Sequence, residues 1–323
     1  MRAHLIKTII ALLAVLAASG GHARAEKKLF IPRADQVLLI IGQDKDSITG
    51  YVNSVSMVPA GLMVYTSIQE MDGLYAPAID RGAGIQDAAY LMKKYPNTVI
   101  QLGLYMKGAL EGVITGKYDR NIEKLARWIA KAAVPVYLRI GYEFDLPLNE
   151  YDPQAYKAAY RHIVDRLDRK GLKNVVYVWH SYGVLNPEKP VEMWYPGDDV
   201  VDWIGISYFK TYFQEDREVI ARFAVEKNKP LMIAEAAPSE IGVAGGAAAW
   251  EKWFTPFFAY IEKHDVRAVC YINTDWDGHP MFAQQSWGDS RVQADPEILS
   301  LWKAATGQAR FLQSSYKLFK QLQ

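Results

Sequence analysis

Two glutamates stand where apolar sequence stops. Glu143 closes a run over residues 134–144 that also holds Arg139, and Glu235 closes a second run over residues 230–236. A near-continuous apolar run reads as a strand covered on both faces. A carboxylate delivered at the exit of such a strand needs a partner or a task, because burying a charge alone is costly. Arg139 could be the structural partner of either acid. Facing one another across a mouth, the two could also share a chemical task. One, kept protonated, would donate to a leaving oxygen, and the other, ionised, would attack an anomeric carbon.

Further polar and aromatic residues fall just past other apolar runs: Gln43, Tyr105, His180, Tyr208, Asn273, Asp275 and Trp276. The set is rich in hydroxyls, carboxylates and rings. It contains no metal-ligand spacing and no Gly-x-Ser-x-Gly elbow, so neither a metal site nor a serine nucleophile is expected, and no cofactor is implied.

The elements that must position these residues follow a regular alternation. Strands are expected at 36–41, 62–65, 98–104, 134–140, 174–179, 202–207, 230–234 and 267–272. Helical spacing lies between them. Ile122, Leu125, Ala126 and Ile129 form one apolar stripe, and Tyr156, Tyr160, Ile163 and Leu167 form another. Helices are also expected at 247–264 and 295–305, with a last one at 317–323. Eight strand–helix alternations predict an α/β fold of the (β/α)8 TIM-barrel type, whose active residues sit at the C-terminal ends of the strands. A doubly wound open sheet is the rival, but no glycine-rich phosphate loop follows the first strand.

The chain has 323 residues, half of them hydrophobic, enough for one large barrel. Its 37 basic and 36 acidic residues nearly cancel, so neither nucleic acid nor an anionic membrane is an expected partner. Residues 1–25 read as an export signal: Arg2 and Lys7, an apolar stretch over 9–17, and Ala23-Arg-Ala25 fitting the small-x-small cleavage rule. The apolar stretch is shorter than an ordinary span of ~20 residues, so no stable membrane anchor is expected. The barrel would then occupy residues 26–323 with a C-terminal helical extension, working as a monomer in the periplasm or outside the cell. The one cysteine, Cys270, has no partner for an internal disulfide.

Several stretches, in order, resemble the family 26 glycoside hydrolases: Gly-Lys-Tyr-Asp at 116–119; Pro-Val-Tyr-Leu-Arg at 135–139 with Glu143; residues 160–165 and 174–179; Tyr-Pro-Gly-Asp at 195–198 with Val-Asp-Trp-Ile-Gly at 201–205; and Ile-Ala-Glu at 233–235. The resemblance implies a retaining (β/α)8 enzyme acting on a β-linked polysaccharide by double displacement. It implies Glu143 as acid/base and Glu235 as nucleophile. Tyr208 would be the tyrosine that hydrogen-bonds the nucleophile, Trp276 the platform under the sugar, and Arg139 the residue orienting a carboxylate. Tyr142, His180, Tyr105 and Gln43 are the remaining substrate-binding candidates. The chain departs from the family at Tyr142, where histidine is usual, and at 144–150, which lacks tryptophan. These positions line the sugar sites, so the implied mechanism is narrower than the implied sugar, which spans mannan, β-glucan, xylan and bacterial exopolysaccharides. A polysaccharide-binding protein and a transglycosylase on the same barrel are the competing readings.

Overall fold

The computed structural model describes residues 27–323, and the export-signal reading of residues 1–25 lies outside them. Eight parallel strands form the barrel: β1 Val37–Gly42, β2 Gly61–Ser67, β3 Val99–Tyr105, β4 Val136–Ile140, β5 Val175–Ser181, β6 Trp203–Tyr208, β7 Leu231–Ala236 and β8 Ala268–Ile272. Each pairs with the next, and β8 returns to β1 from Leu38↔Ala268 to Gly42↔Ile272, closing the sheet. The principal outer helices are α1 Lys45–Val55, α2 Ala88–Lys94, α3 Asp119–Ala132, α4 Pro153–Asp168, α5 Gln214–Glu226, α6 Thr255–Lys263 and α7 Pro296–Thr306. This is the expected (β/α)8 barrel. Among the described residues, no helix is long and apolar enough to cross a membrane.

Strand alternation sorts the side chains into two cores. Met63, Val99, Tyr137, Val176, Val178, Trp203, Met232 and Cys270 fill the lumen. Their strand neighbours, including Leu102, Leu138, Tyr177, Ile204 and Ile233, pack outward against the helices. Both faces are apolar, which is why the strands read as continuous apolar runs. Several strands continue past the point where the apolar pattern stops, because the backbone ladder accepts Tyr105, His180 and Ser181 as readily as valine.

Other departures from the sequence reading are local. The expected helix over 247–264 is interrupted by a π-helical turn at Trp250–Phe254. Its wider turn lets the adjacent Trp253 and Phe254 both bury. A short hairpin pairs Ile79–Asp80 with Ile85–Gln86, and Phe311–Leu312 adds beside β1; two-residue strands carry no periodicity to read.

The bottom of the barrel is closed by both ends of the described chain. Phe30 is buried in the lumen cluster with Leu318 and Leu322. Tyr137 Oη donates to the Phe30 carbonyl at 2.6 Å, and Trp203 Nε1 to that of Leu29 at 2.8 Å. Ile31 and Gln323 exchange backbone hydrogen bonds. The Phe30 ring therefore completes a core far from the strand exits. Phe30→Ala should lower unfolding stability by about 3–5 kcal/mol while leaving turnover at 25 °C unchanged; urea unfolding and steady-state kinetics on the same preparation measure both.

Candidate active site

Inward positions near the strand exits assemble one polar cluster at the top of the barrel. Arg139 lies in β4, His180 in β5, Ser207 in β6 and Glu235 in β7, with Glu143 on the turn leaving β4. Arg139 is fully buried and forms an ion pair with Glu235 through Nη1. Nη1 also meets His180 Nδ1 at 3.2 Å, and Nη2 lies 3.1 Å from Met63 Sδ. The guanidinium is flanked by the rings of Tyr65 and Tyr142, whose centroids are 5.1 and 4.9 Å away. Room for this arrangement comes from Gly103 on β3. A Cβ there would lie 2.5 Å from the Tyr65 ring and 2.9 Å from Arg139 Nη2.

Glu235 reaches the mouth because β7 is irregular. In the pairing with β6, Ile206 faces Ile233 but Ser207 faces Glu235, and the pairing with β8 slips at the same place. This bulge inserts one extra residue, so Ala234 and Glu235 both turn inward where strict alternation would send Glu235 to the helices.

Glu143 is aimed by a different device. Its φ is +53°, a left-handed conformation that costs a non-glycine residue about 1–2 kcal/mol. Its surroundings hold it there: Asn149 Nδ2 donates to the carbonyls of Glu143 and Tyr142, at 2.8 and 3.2 Å. The next amide, Phe144 N–H, donates to the His180 carbonyl at 3.2 Å. Phe144 then turns outward and stacks on Trp179. The Glu143 side chain accepts from Ser207 Oγ at 2.7 Å, and Ser207 Oγ meets His180 Nε2 at 3.0 Å.

These contacts set the charges. Burial, then the negative charge of Glu235, push the Glu143 carboxyl well above its usual range, against the opposing hydrogen bond from Ser207 and the charge of Arg139. Burial opposes the charge on Arg139, but the neighbouring Glu235 outweighs it and the guanidinium is held more firmly protonated. Burial and the adjacent Arg139 hold His180 well below the ordinary histidine value, so its imidazole is neutral.

The other residues named from sequence fall in different places. Tyr142 sits at the wall between Tyr65, Tyr105 and His180, with ring centroids 5.3, 6.2 and 6.5 Å away. Tyr105 is half-buried beside it. Trp276 is buried after β8, packed on Trp287 and Phe282, and its Nε1 meets no hydrogen-bond partner. Gln43 uses its side-chain amide on the Ala83 carbonyl, at 3.0 Å, and its own carbonyl accepts from Gln86, so it ties loops together beside the mouth. Both ring nitrogens of His180 are engaged by protein groups, which leaves it no donor for a sugar.

Tyr208 requires a correction. It is the outward residue of β6, packed on Arg217, Trp253, Phe257 and Tyr260, and it does not join the Glu235 cluster. Its inward neighbour Ser207 lies opposite Glu235 instead. Sequence reasoning passed over Ser207, Asn149, Tyr65 and Tyr182. Tyr182, at the exit of β5, feels the charges of both glutamates, and burial above all pushes its hydroxyl up to about 12. The period-2 pattern of β6 carried the signal for Ser207; a serine inside an apolar run was the visible clue. Among the described residues, no group of three or more His, Cys, Asp or Glu side chains is arranged to hold a metal ion.

A pair of buried carboxylates at the exits of β4 and β7 of such a barrel can be compared with known proteins. The Glycosyl hydrolase family 26 profile matches residues 108–254. A β-1,3-xylanase of a Vibrio species is 34% identical over 339 residues, covering 96% of this chain and 73% of that protein. A β-1,3-xylanase of an Alcaligenes species is 33% identical, with 96% and 71% covered. Among solved structures, a β-mannanase of Bacteroides ovatus superposes with a TM-score of 0.63 at 15% identity, covering 88% of this chain and 93% of that one, a likeness of fold. The protein is therefore a glycoside hydrolase. It belongs to glycosyl hydrolase family 26.

The charge arrangement makes a direct prediction. Glu235→Gln removes the negative charge that raises Glu143 and frees the Arg139 charge that lowers it. The Glu143 titration midpoint should fall relative to wild type while staying above an exposed carboxyl. Carbon-13 NMR of labelled glutamate carboxyls reads the shift, and an unchanged midpoint would contradict the coupling.

Proposed function

We propose that this enzyme cleaves β-1,3-xylan with retention of configuration, using Glu143 as acid/base and Glu235 as nucleophile. The observation that carries this reading is the opposed environment of the two acids: Glu143 is driven toward its neutral form, whereas Glu235 is ion-paired with a buried arginine. Paired carboxylates so divided suit an acid and a nucleophile. The sugar is inferred from the two relatives, each a β-1,3-xylanase aligned over 96% of this chain.

In the first step Glu143 protonates the glycosidic oxygen while a carboxylate oxygen of Glu235 attacks the anomeric carbon. The glycosidic bond breaks and a glycosyl ester forms. Esterification removes the negative charge of Glu235. The Coulombic push on Glu143 then disappears, its proton affinity drops, and it can act as the base that deprotonates water. Water attacks the anomeric carbon, the ester bond breaks, and Glu143 is again protonated. This double displacement needs no cofactor. Residues 1–25 would act as a removable leader that exports the catalytic barrel of residues 26–323, a reading supported by the basic, apolar and small-x-small pattern.

Reducing-end assays on β-1,3-xylan, mannan, mixed-linked β-glucan and β-1,4-xylan test the assignment. Short oligosaccharides should appear fastest from β-1,3-xylan. Glu235→Ala should fall to background with its circular dichroism unchanged, and Glu143→Ala should lose about 10²–10⁴-fold on the polysaccharide. Near-normal hydrolysis by folded Glu235→Ala would sink the mechanism, and preferential cleavage of another glycan would sink the substrate.

A further inference from the structure

The contacts linking the two glutamates have a fixed direction. Arginine can only donate hydrogen bonds, so His180 Nδ1, 3.2 Å from Arg139 Nη1, must accept. A neutral imidazole has one N–H, which is then on Nε2. That N–H donates to Ser207 Oγ at 3.0 Å, and the serine hydroxyl is left to donate to Glu143 Oε1 at 2.7 Å. All four side chains are buried, Arg139 and His180 completely. Water has no place in the chain of bonds, and each bond dictates the polarity of the next.

We propose that His180 and Ser207 are positioning residues that reserve Glu143 Oε1 as an acceptor, so that the acid proton resides on the other oxygen, Oε2. A proton on Oε1 would confront the Ser207 hydroxyl proton. The serine could accept that proton on its second lone pair only by turning its own hydrogen away from Glu143, its one hydrogen-bond acceptor here. Nor can the relay conduct a proton: accepting one at His180 Nδ1 would set that N–H against the Arg139 guanidinium. The relay therefore holds the proton of Glu143 at one oxygen without draining it, and anchors the side chain on β6 while its backbone is held by Asn149. The inference rests on Glu143 being the acid/base.

Removing the serine should have a signed effect. Glu143 is faced by Glu235 and Arg139 from β7 and β4, by Ser207 from β6, by Asp145 on its own loop, and by the hydroxyls of Tyr142, Tyr151 and Tyr182. Of these, Ser207 supplies the hydrogen bond that favours the carboxylate. Its loss should move the Glu143 titration upward, and with it the alkaline limb of the pH profile of kcat/KM.

The test compares wild type with Ser207→Ala on xylo-oligosaccharides across pH. The expected outcome is a kcat lower by about tenfold or more, a KM within about twofold, and an alkaline limb displaced to higher pH. A wild-type pH profile in Ser207→Ala would overturn the proposal. Proton–nitrogen NMR of the wild-type enzyme gives a second reading that does not depend on the variant's folding. His180, assigned by loss of its signals in His180→Asn, should be the neutral Nε2–H tautomer from pH 5 to 8; an Nδ1–H tautomer or an imidazolium would equally overturn the relay. Azide rescue of Glu143→Ala on an activated aryl glycoside separates this from the underlying assignment. Without rescue the acid/base reading fails, whereas rescue with an unaltered Ser207→Ala profile defeats the relay alone.

Discussion

The ion pair between Arg139 and Glu235 is the constraint around which the upper barrel is arranged. Two charges removed from water are stable together only when the remaining donors and acceptors find partners, and removing either partner leaves an uncompensated charge. Much of the surrounding lumen can be understood as meeting that requirement. His180 and Met63 meet Nη1 and Nη2 of the guanidinium, Tyr65 and Tyr142 cover its faces, and Nε alone is left without a hydrogen-bond partner. Gly103 exists as glycine because the arginine and the Tyr65 ring occupy the space a Cβ would need. His180 is held neutral partly by the same positive charge, and its neutrality fixes the tautomer on which Ser207 and Glu143 depend.

The two acids are presented by unlike backbone devices, and the difference suits the tasks proposed for them. Glu235 is built into the ladder of β7, turned inward by a bulge and clamped by arginine, as a nucleophile fixed in one place would be. Glu143 lies beyond the last residue of β4 in a left-handed conformation, held by Asn149, by the turn into Phe144 and by one serine hydrogen bond. Its contacts are neutral rather than ionic. A strongly ion-paired carboxylate would be a poor proton donor, so an acid must be located by groups that do not stabilise its anion too well. A single hydroxyl against burial and a nearby negative charge meets that condition.

The barrel, the order of its strands and the two exit glutamates were legible in the sequence because all three follow from apolar runs and their abrupt ends. Arg139 was legible as a partner for a carboxylate, though not for which one. What could not be read was side-chain direction beyond a strand's regular stretch. Tyr208 illustrates this: chain position put it at the mouth, yet alternation sends it to the helices and brings Ser207 inward. Glu235 illustrates the converse, since strict alternation would have turned it outward and only the bulge at Ala234 corrects it. His180 was visible as a residue of the mouth, but not that both its nitrogens were already engaged, which depends on two other strands. Asn149 acts across a turn whose shape had no periodicity to reveal it.

This division also explains why the buried acid cluster was easier to read than the surfaces around it. Arg139 and Glu235 lie in barrel strands and Glu143 on the turn just past one, where spacing and register are dictated by the closed sheet. The surfaces that would meet the sugars are built differently. Tyr142, Tyr65 and Tyr105 form a wall whose ring geometry depends on the buried arginine behind it. Trp287 and Phe282, partly buried, pack over the buried Trp276 in the loop after β8, a segment with no regular strand to fix it. Tyr142 therefore does more than line the wall. Its ring covers one face of the guanidinium that pairs with Glu235, so a residue of this wall also helps to exclude water from the Arg139–Glu235 pair. Replacing Tyr142 would therefore also disturb the surroundings of the charges that meet at Arg139, Glu143 and Glu235.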